Sequence, residues 1–281
     1  MKKSRLAVII LLASLVCFSG LKMVLDGIPR SKIPGSSIIY IPSGQYLKYA
    51  TFGFSSLAAD LIYLWAIQYY SNTEIENRFD YLDHIFSIIS ELDPHYLDPY
   101  EVGAVIAVYE ARNLDLAFKI LDRGLENNPD EWLFPYEAGH YAQRYKMDFE
   151  RAREYYRRAM EIEGAPSQTR RLYANALFET MDYRAAWESW LDIYRNAPDE
   201  RTKQIASNHL YQVKAAMDIQ AISAALEEYR SRFGHLPSDL EQLVQTGLLA
   251  SLPRDMDDKD YIYDPDRGEV RPPSIPWKRS S

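Results

Sequence analysis

Two stretches of this sequence decide its fold: MDFERAREYYRRAMEIEG at residues 147–164 and MDYRAAWESWLDIYRNAP at residues 181–198. Each begins with a methionine, an aspartate and an aromatic residue, and their starting points are 34 residues apart. Spacings of 34 to 36 residues also separate the members of three further series: Gly103, Gly139 and Ala174; Ala117, Ala152 and Ala186; and Asn113, Asp148 and Asp182. Because independent series keep one period, the sequence predicts an array of structural repeats.

Each repeat is predicted to contain two helices. Small residues such as Gly103 and Ala117 allow paired helices to approach closely. The Asn or Asp before each second helix can accept hydrogen bonds from the free N–H groups of that helix, and a proline after the helix ends it. Bulky residues, for example Leu121, Tyr156 and Trp190, are expected to fill the spaces between stacked pairs.

Residues 96–198 resemble three tetratricopeptide repeats, in which the second helices match residues 116–129, 151–164 and 185–198. A degenerate fourth repeat is predicted around residues 62–94, which end in a similar Leu-Asp-Pro. The chain departs from the family pattern because it lacks the usual tryptophan of the first helix and has Ala174 where the family has glycine. The resemblance implies a mostly α fold, a solenoid of helical hairpins over residues 46–199.

The resemblance also implies a binding surface, because members of this family bind peptides or partner helices on the concave face of the solenoid. Mapped by position, the predicted groove consists of Leu97, Tyr100, Tyr136, His140, Gln143, Arg171 and Asn175. Arg171 and Asn175 could grip a carboxylate or a main-chain amide, although the full carboxylate clamp of the chaperone-binding members is absent. The alternative for each residue is an ordinary solvated helix face.

The N-terminus predicts a membrane anchor at residues 1–25. Three basic residues among the first five precede an apolar run at residues 6–21, and this order is typical of export signals and membrane helices. The prediction is a single-pass protein of the bacterial inner membrane with its soluble part in the periplasm. Cleavage after Ser19, a lipoprotein attached through Cys17 and a buried N-terminal helix are the alternatives.

Residues 26–45 are predicted to form a linker, because they contain three prolines and three glycines. Residues 46–70 are strongly apolar and aromatic, and Leu57, Leu61 and Leu64 recur at helical spacing. A buried helix of the soluble domain is the favoured interpretation of this segment. A helix lying on the membrane surface is the second interpretation.

The C-terminal region, residues 200–271, is predicted to be a long helix followed by a small α+β module. Apolar residues from Ile219 to Phe233 step by three and four, which indicates one helix ending at Gly234. Ser238 and Glu241 have the spacing of a capping box for a short second helix that stops at Gly247. Two strands at residues 261–263 and 269–271 then flank a turn, and residues 272–281 form a flexible tail.

This region is similar to the globular part of the major pseudopilins of type II secretion. The matching residues are Ala225, Leu226, Tyr229, Gly234, Pro237, Leu240, Leu243, Val244, Gly247, Leu252, Pro253, Asp255, Tyr261 and Tyr263. The N-terminus lacks the Gly-Phe processing site and the glutamate of that family. Because such proteins bind calcium near the acidic loop, the resemblance also makes Asp255, Asp257, Asp258 and Asp260 a weak calcium candidate, with a solvated acidic turn as the favoured alternative.

Composition and motifs argue against other functions. The net charge is −8 and the basic residues are scattered, so nucleic-acid binding is not expected. The five histidines are dispersed, and no phosphate loop, nucleophile elbow or metalloprotease motif is present. We therefore expect a non-enzymatic adaptor without a cofactor, serving a secretion or pilus-like envelope machine. A pilin-like filament subunit and a hydrolase of envelope polymers are the alternatives.

Overall fold

The computed structural model describes residues 2–26, 41–75 and 77–274, with side chains described only for residues 11–24 of the first range. The described part of the chain is mostly helical, as predicted. The helices are α1 (Lys2–Asp26), α2 (Gly44–Ala50), α3 (Ser55–Ser71), α4 (Leu82–Leu92), α5 (Asp98–Val105), α6 (Leu114–Asn127), α7 (Leu133–Tyr141), α8 (Phe149–Glu161), α9 (Gln168–Glu179), α10 (Tyr183–Arg195), α11 (Glu200–Phe233) and α12 (Glu241–Gln245). Strands β1 (Ile262–Asp264) and β2 (Glu269–Arg271) pair antiparallel, with Tyr263 opposite Val270.

Helices α5 to α10 form three successive pairs, each packed against the next, and α3 with α4 forms a further pair at the N-terminal side. The predicted caps are confirmed. The side chains of Asn113 and Asp148 accept hydrogen bonds of 3.0 Å from the second-helix amides of Leu116 and Arg151. Asp182 accepts a bond of 3.3 Å from the amide of Ala185. The residue before each cap is left-handed, with φ of 53° at Arg112, 54° at Met147 and 61° at Met181. The same local turn therefore recurs in all three pairs.

The interior divides into three apolar clusters along the chain. The first runs from Ala59 in α3 to Ala176 in α9, and it contains the fully buried side chains of Leu121 and Tyr156. The second joins α9 and α10 to the first half of α11 around Trp190. The third lies between the second half of α11, helix α12 and the hairpin. Leu121, Tyr156 and Trp190 are thus buried between helices, as the repeat pattern predicts.

Two local predictions need correction. The linker was placed at residues 26–45, but α2 already begins at Gly44, where a Cβ would lie 2.6 Å from the Cβ of Glu91. The short helix α12 begins at Glu241 rather than Ser238, and the amide of Gln242 is capped by the Asp239 carboxylate at 3.2 Å. Ser238 instead accepts a hydrogen bond from the side chain of Gln242.

The segment at residues 46–70 agrees with its favoured interpretation, a buried helix, on only one side of α3. Leu57, Leu61 and Leu64 are exposed, while Ala59 and Ala66 on the opposite side of α3 are fully buried. Residues 27–40 of the predicted linker and residues 275–281 of the predicted tail lie outside the described residues. Among the residues that are described, no helix is both long enough and apolar enough to span a bilayer.

Candidate functional site

The surface of interest lies on the first helices of the repeats. Helices α5 and α7 each continue into a π-helical turn, at Ile106–Glu110 and Ala142–Lys146. A π turn accommodates an extra residue within a helix and is frequent at functional sites. Extra residues here agree with the spacing of 36 between Gly103 and Gly139, which is longer than the 34 residues between the second-helix copies. The two π turns therefore occupy equivalent positions in successive repeats.

Tyr109 and Tyr145 lie in these π turns, and the stacking of the repeats brings them into contact. The Tyr145 hydroxyl donates a 3.0 Å hydrogen bond to the Tyr109 hydroxyl, and the two ring centroids are 6.1 Å apart. Both rings remain open to solvent, 56% exposed for Tyr109 and 40% for Tyr145. Exposed tyrosines that are held in place by neighbouring side chains are favourable contact residues for a partner protein.

Polar groups surround this tyrosine pair. Burial raises the pKa of Glu137. The electrostatic interaction with His140 lowers that pKa, and the charge of Glu101 raises it further. Tyr141 is buried beneath the surface, with its ring 6.1 Å from that of Tyr145, and a hydrogen bond links it to Glu137. Burial and the Glu137 charge raise the pKa of the Tyr141 hydroxyl. We call the set Val105, Tyr109, Glu137, His140 and Tyr145 the tyrosine patch.

One predicted groove residue is wrong. Tyr100 is 2% exposed, and its ring packs edge to face against Phe134 with centroids 5.4 Å apart. Its hydroxyl donates to the carbonyl of Pro94 at 3.0 Å and accepts from the side-chain amide of Asn127 at 2.9 Å. Every one of these partners belongs to the chain itself. Tyr100 is therefore a structural residue at a junction between repeats.

Tyr136 and Gln143 are half-buried and tied to neighbouring helices. Gln168 donates its side-chain amide to the Tyr136 hydroxyl, and the Tyr136 ring lies 5.8 Å from that of Trp132. Tyr156 donates its hydroxyl to Gln143 at 3.0 Å. These contacts hold α7 against α8 and α9. The two residues line the site but have their polar groups already engaged.

The remaining predicted residues are spread over three helices. Leu97 precedes α5 and packs on the first apolar cluster. His140 belongs to the tyrosine patch, with its ring centroid 6.3 Å from that of Tyr141. Arg171 and Asn175 are half-buried on α9, one turn apart. Burial and the Arg171 charge lower the pKa of His209 on α11, while a hydrogen bond with Gln212 opposes that effect.

Sequence reasoning missed Tyr109, Glu137 and Tyr145. The pair Tyr109 and Tyr145 has the same spacing of 36 residues as Gly103 and Gly139, and this was the signal that could have found it. The π turns rotate these residues relative to a regular helix, so the family positions did not place them on the surface.

The predicted acidic loop does not form a convergent set of ligands. Asp255 accepts hydrogen bonds from the Tyr211 hydroxyl and from the amides of Asp257 and Lys259, at 2.9 Å and 2.8 Å for the two amides. Asp258 and Asp260 both pair with Arg254, at 3.2 Å and 3.3 Å. Within the described residues, no group of three or more potential ligands has the arrangement needed to hold a metal ion. The calcium hypothesis therefore has no geometric support.

The tyrosine patch combines aromatic rings with polar side chains. It offers tyrosine rings, carboxylates and an imidazole on one surface, with no activated nucleophile among them. Comparison with models of known protein families, and with curated proteins, found no match to this chain.

Proposed function

We propose that this chain is a membrane-anchored adaptor of the tetratricopeptide type, located outside the bacterial cytoplasm, whose tyrosine patch binds a protein partner. The observation that carries the proposal is the exposed, hydrogen-bonded pair Tyr109 and Tyr145, repeated at equivalent positions of two stacked repeats. Tyrosine is enriched among residues that dominate binding energy at protein interfaces. The neighbouring carboxylates Glu101 and Glu137 favour a partner segment that carries basic residues.

The proposed family rests on the series of helix pairs and their recurring caps. The left-handed residue followed by a capping Asn or Asp occurs at the start of α6, α8 and α10. A chain of helical hairpins exposes its first helices along one continuous surface, and that surface is suited to an extended peptide or a partner helix. The partner therefore belongs to the chemical class of peptide segments with apolar anchors and positive charge.

The proposed anchor is α1. Its described side chains, residues 11–24, are exposed and mostly apolar, with large residues such as Leu12, Leu15 and Phe18 in contact with water rather than with the protein. Lys2, Lys3 and Arg5, whose side chains lie outside the described residues, supply the basic flank in the sequence. A helix with a basic start whose described side chains, residues 11–24, are exposed and mostly apolar favours membrane association.

The geometry of α11 favours the adaptor over a pilin-like filament subunit. In a filament, the helix of the C-terminal module would need to be free to pack against other subunits. Here the first half of α11 packs on α10 through Ala206, Leu210 and Val213, all buried in the second cluster. The module is therefore an extension of the solenoid through a shared helix.

Site-specific photocrosslinking in native membranes tests the adaptor proposal. A photoreactive residue at Val105 is expected to capture one partner, and Tyr109→Ala with Tyr145→Ala is expected to reduce that capture about tenfold or more. A photoreactive residue at Arg184, a highly exposed position on α10, is the matched control and should capture nothing specific.

Two further measurements complete the test. Circular dichroism of the double variant should be unchanged, because both side chains lie at the surface and outside the apolar clusters. Equal capture from Val105 and Arg184, or capture that survives the double substitution in a folded protein, would overturn the proposed binding surface.

A further inference from the structure

A second exposed surface lies far from the tyrosine patch in sequence, on helices α2 and α3. Tyr46, Tyr49, Phe52 and Phe54 are exposed at its first end, and the Phe52 ring is 90% exposed. Leu57, Leu61 and Leu64 continue the surface along α3. We call these seven residues the α2–α3 apolar face. Its three leucines share one side of the helix because they step by four and three residues.

The fold does not need this face for its own stability. On the opposite side of α3, Ala59, Ala66, Tyr69 and Tyr70 are buried in the first apolar cluster. That side packs on α4 and gives the helix its tertiary support. A contiguous apolar surface that the protein leaves uncovered marks an interaction site.

Charged groups are few on this face and stand at its edges. Lys48 lies in the last turn of α2. Asp60 lies at the border of the leucine stripe. Burial of the Tyr96 ring, the charge of Asp60 and a hydrogen bond between the two side chains raise the pKa of Tyr96. Tyrosines and phenylalanines beside leucines, with charge kept to the rim, are typical of helices that lie in a membrane interface.

The position of the face in the chain limits its distance from the proposed anchor. Residues 27–40, 14 in number, separate the end of α1 from the described segment that leads into α2. Fully extended, such a segment spans at most about 50 Å. The face is therefore held within about 50 Å of the end of the proposed anchor, which limits how far it can move from the bilayer surface.

We propose that the α2–α3 apolar face lies on the phospholipid bilayer, with the tyrosine hydroxyls among the headgroups and the leucines at the boundary of the acyl chains. This contact orients the helical repeats relative to the membrane. The inference goes beyond partner binding, and only its tether argument rests on the proposed anchor.

Quenching by spin-labelled lipids tests this contact on the full chain in phosphatidylcholine and phosphatidylglycerol vesicles. In a Cys17→Ser background, a fluorophore is attached at Tyr49→Cys, at Leu61→Cys or at the control Met181→Cys, which is 71% exposed in a repeat turn. Lipids labelled near the headgroup are expected to quench positions 49 and 61 at least threefold more strongly than position 181. Equal quenching at the three positions would overturn the proposal.

A charge variant and a flotation assay separate this inference from the anchor. Leu57→Glu with Leu64→Glu is expected to abolish the excess quenching at position 49, because the exposed leucines would no longer enter the interface. Vesicle flotation of the same variant reports the contribution of α1 alone. If this variant does not float, the anchor is refuted, and the quenching result still decides whether the face lies on the bilayer. Disulfide-linked dimers of Leu61→Cys without excess lipid quenching would assign the face to a second copy and overturn the proposal.

Discussion

The two halves of helix α11 are held in different ways, although they form one continuous helix of 34 residues. The first half packs on α10 through apolar contacts, and the His209 ring stacks on Trp190 with centroids 4.0 Å apart. The second half contributes Ile222, Leu226 and Tyr229 to the third apolar cluster. The C-terminal loop meets the helix near its middle, through the Tyr211 hydroxyl, the Lys214 ammonium and the Asp218 carboxylate.

Those polar groups form two linked contacts. Asp255 is 6% exposed and accepts the Tyr211 hydroxyl, and Asp218 accepts both the Lys214 ammonium and the Tyr261 hydroxyl, the latter at 2.7 Å. Each carboxylate is therefore buried with hydrogen-bond donors, as buried charges must be.

The difference shows how packing depends on the partner element. Helix α10 presents an apolar stripe to α11, so burial of apolar surface area is enough to hold the first half in place. The loop at residues 254–261 has few apolar side chains, so directional hydrogen bonds fix its position. Because apolar area holds α11 against α10 and hydrogen-bonded carboxylates fix the loop against α11, substitutions and pH should affect these two contacts separately.

Removing Trp190 is the strongest way to break this comparison. Its side chain is 1% exposed, so Trp190→Ala is expected to lower the free energy of unfolding by about 3–5 kcal/mol. Hydrogen exchange of the full chain in detergent should become faster in residues 200–213 and change less in residues 222–233. Met181→Ala, at an exposed position, should change the unfolding free energy by about 0.5 kcal/mol or less. Equal acceleration in both halves of α11 would show that the helix opens as one unit.

Removing the Asp255 charge tests the polar contact between α11 and the C-terminal loop. Asp255→Asn keeps the shape of the side chain but weakens three hydrogen bonds to a buried carboxylate, so a loss of about 1–3 kcal/mol is expected. Here the faster exchange should appear in residues 215–233 and not in residues 200–209. Asp266→Asn, in the exposed hairpin turn, is the matched control. If exchange near Trp190 rises as much as exchange in the module, the polar contact does not act locally.

Acid should weaken the contact of α11 with α10 and its contact with the C-terminal loop in different pH windows, and this is the smallest expected effect. Burial lowers the pKa of His209, so the unfolded chain takes up a proton first and stability falls as pH drops below about 6.5. Burial alone would raise the pKa of Asp255, but its hydrogen bonds hold that pKa below the ordinary value, so its contribution is complete above about pH 4 and is lost only below it.

Urea unfolding midpoints at pH 7.5, 5.5 and 3.5 check both signs. His209→Gln is expected to reduce the change between pH 7.5 and 5.5, and Asp255→Asn the change between pH 5.5 and 3.5. A chain whose midpoint is the same at pH 7.5 and 5.5 would contradict the assignment to His209.

Much of the fold was predictable because its signals are local. The caps Asn113, Asp148 and Asp182 bond to amides three residues away, so sequence spacing alone located the starts of α6, α8 and α10. Gly234 and Gly247 end helices with φ of 77° and 76°, a conformation that favours glycine. The hairpin at β1 and β2 followed from its turn for the same reason.

The candidate site was less predictable because exposure depends on contacts between repeats. Tyr100, Tyr136 and Arg171 occupy equivalent family positions, yet Tyr100 is buried by Phe134 and Asn127 while the other two remain half-exposed. The π turns that present Tyr109 and Tyr145 have no residue signature of their own. The spacing of 36 residues could pair Tyr109 with Tyr145, but periodicity alone does not show that their side chains are exposed.

The sequence by itself determined the repeat period, the helix ends and the hairpin, since each arises from interactions within a few residues or from a repeated local pattern. Only the tertiary structure decided which apolar side chains are covered. It left Leu57, Leu61 and Leu64 in water while burying Ala59 and Ala66 on the same helix. It also joined the repeats to the C-terminal module through α11. The physical reason is that burial is a property of packed neighbours, and a helical stripe has the same spacing whether a protein core or a membrane covers it.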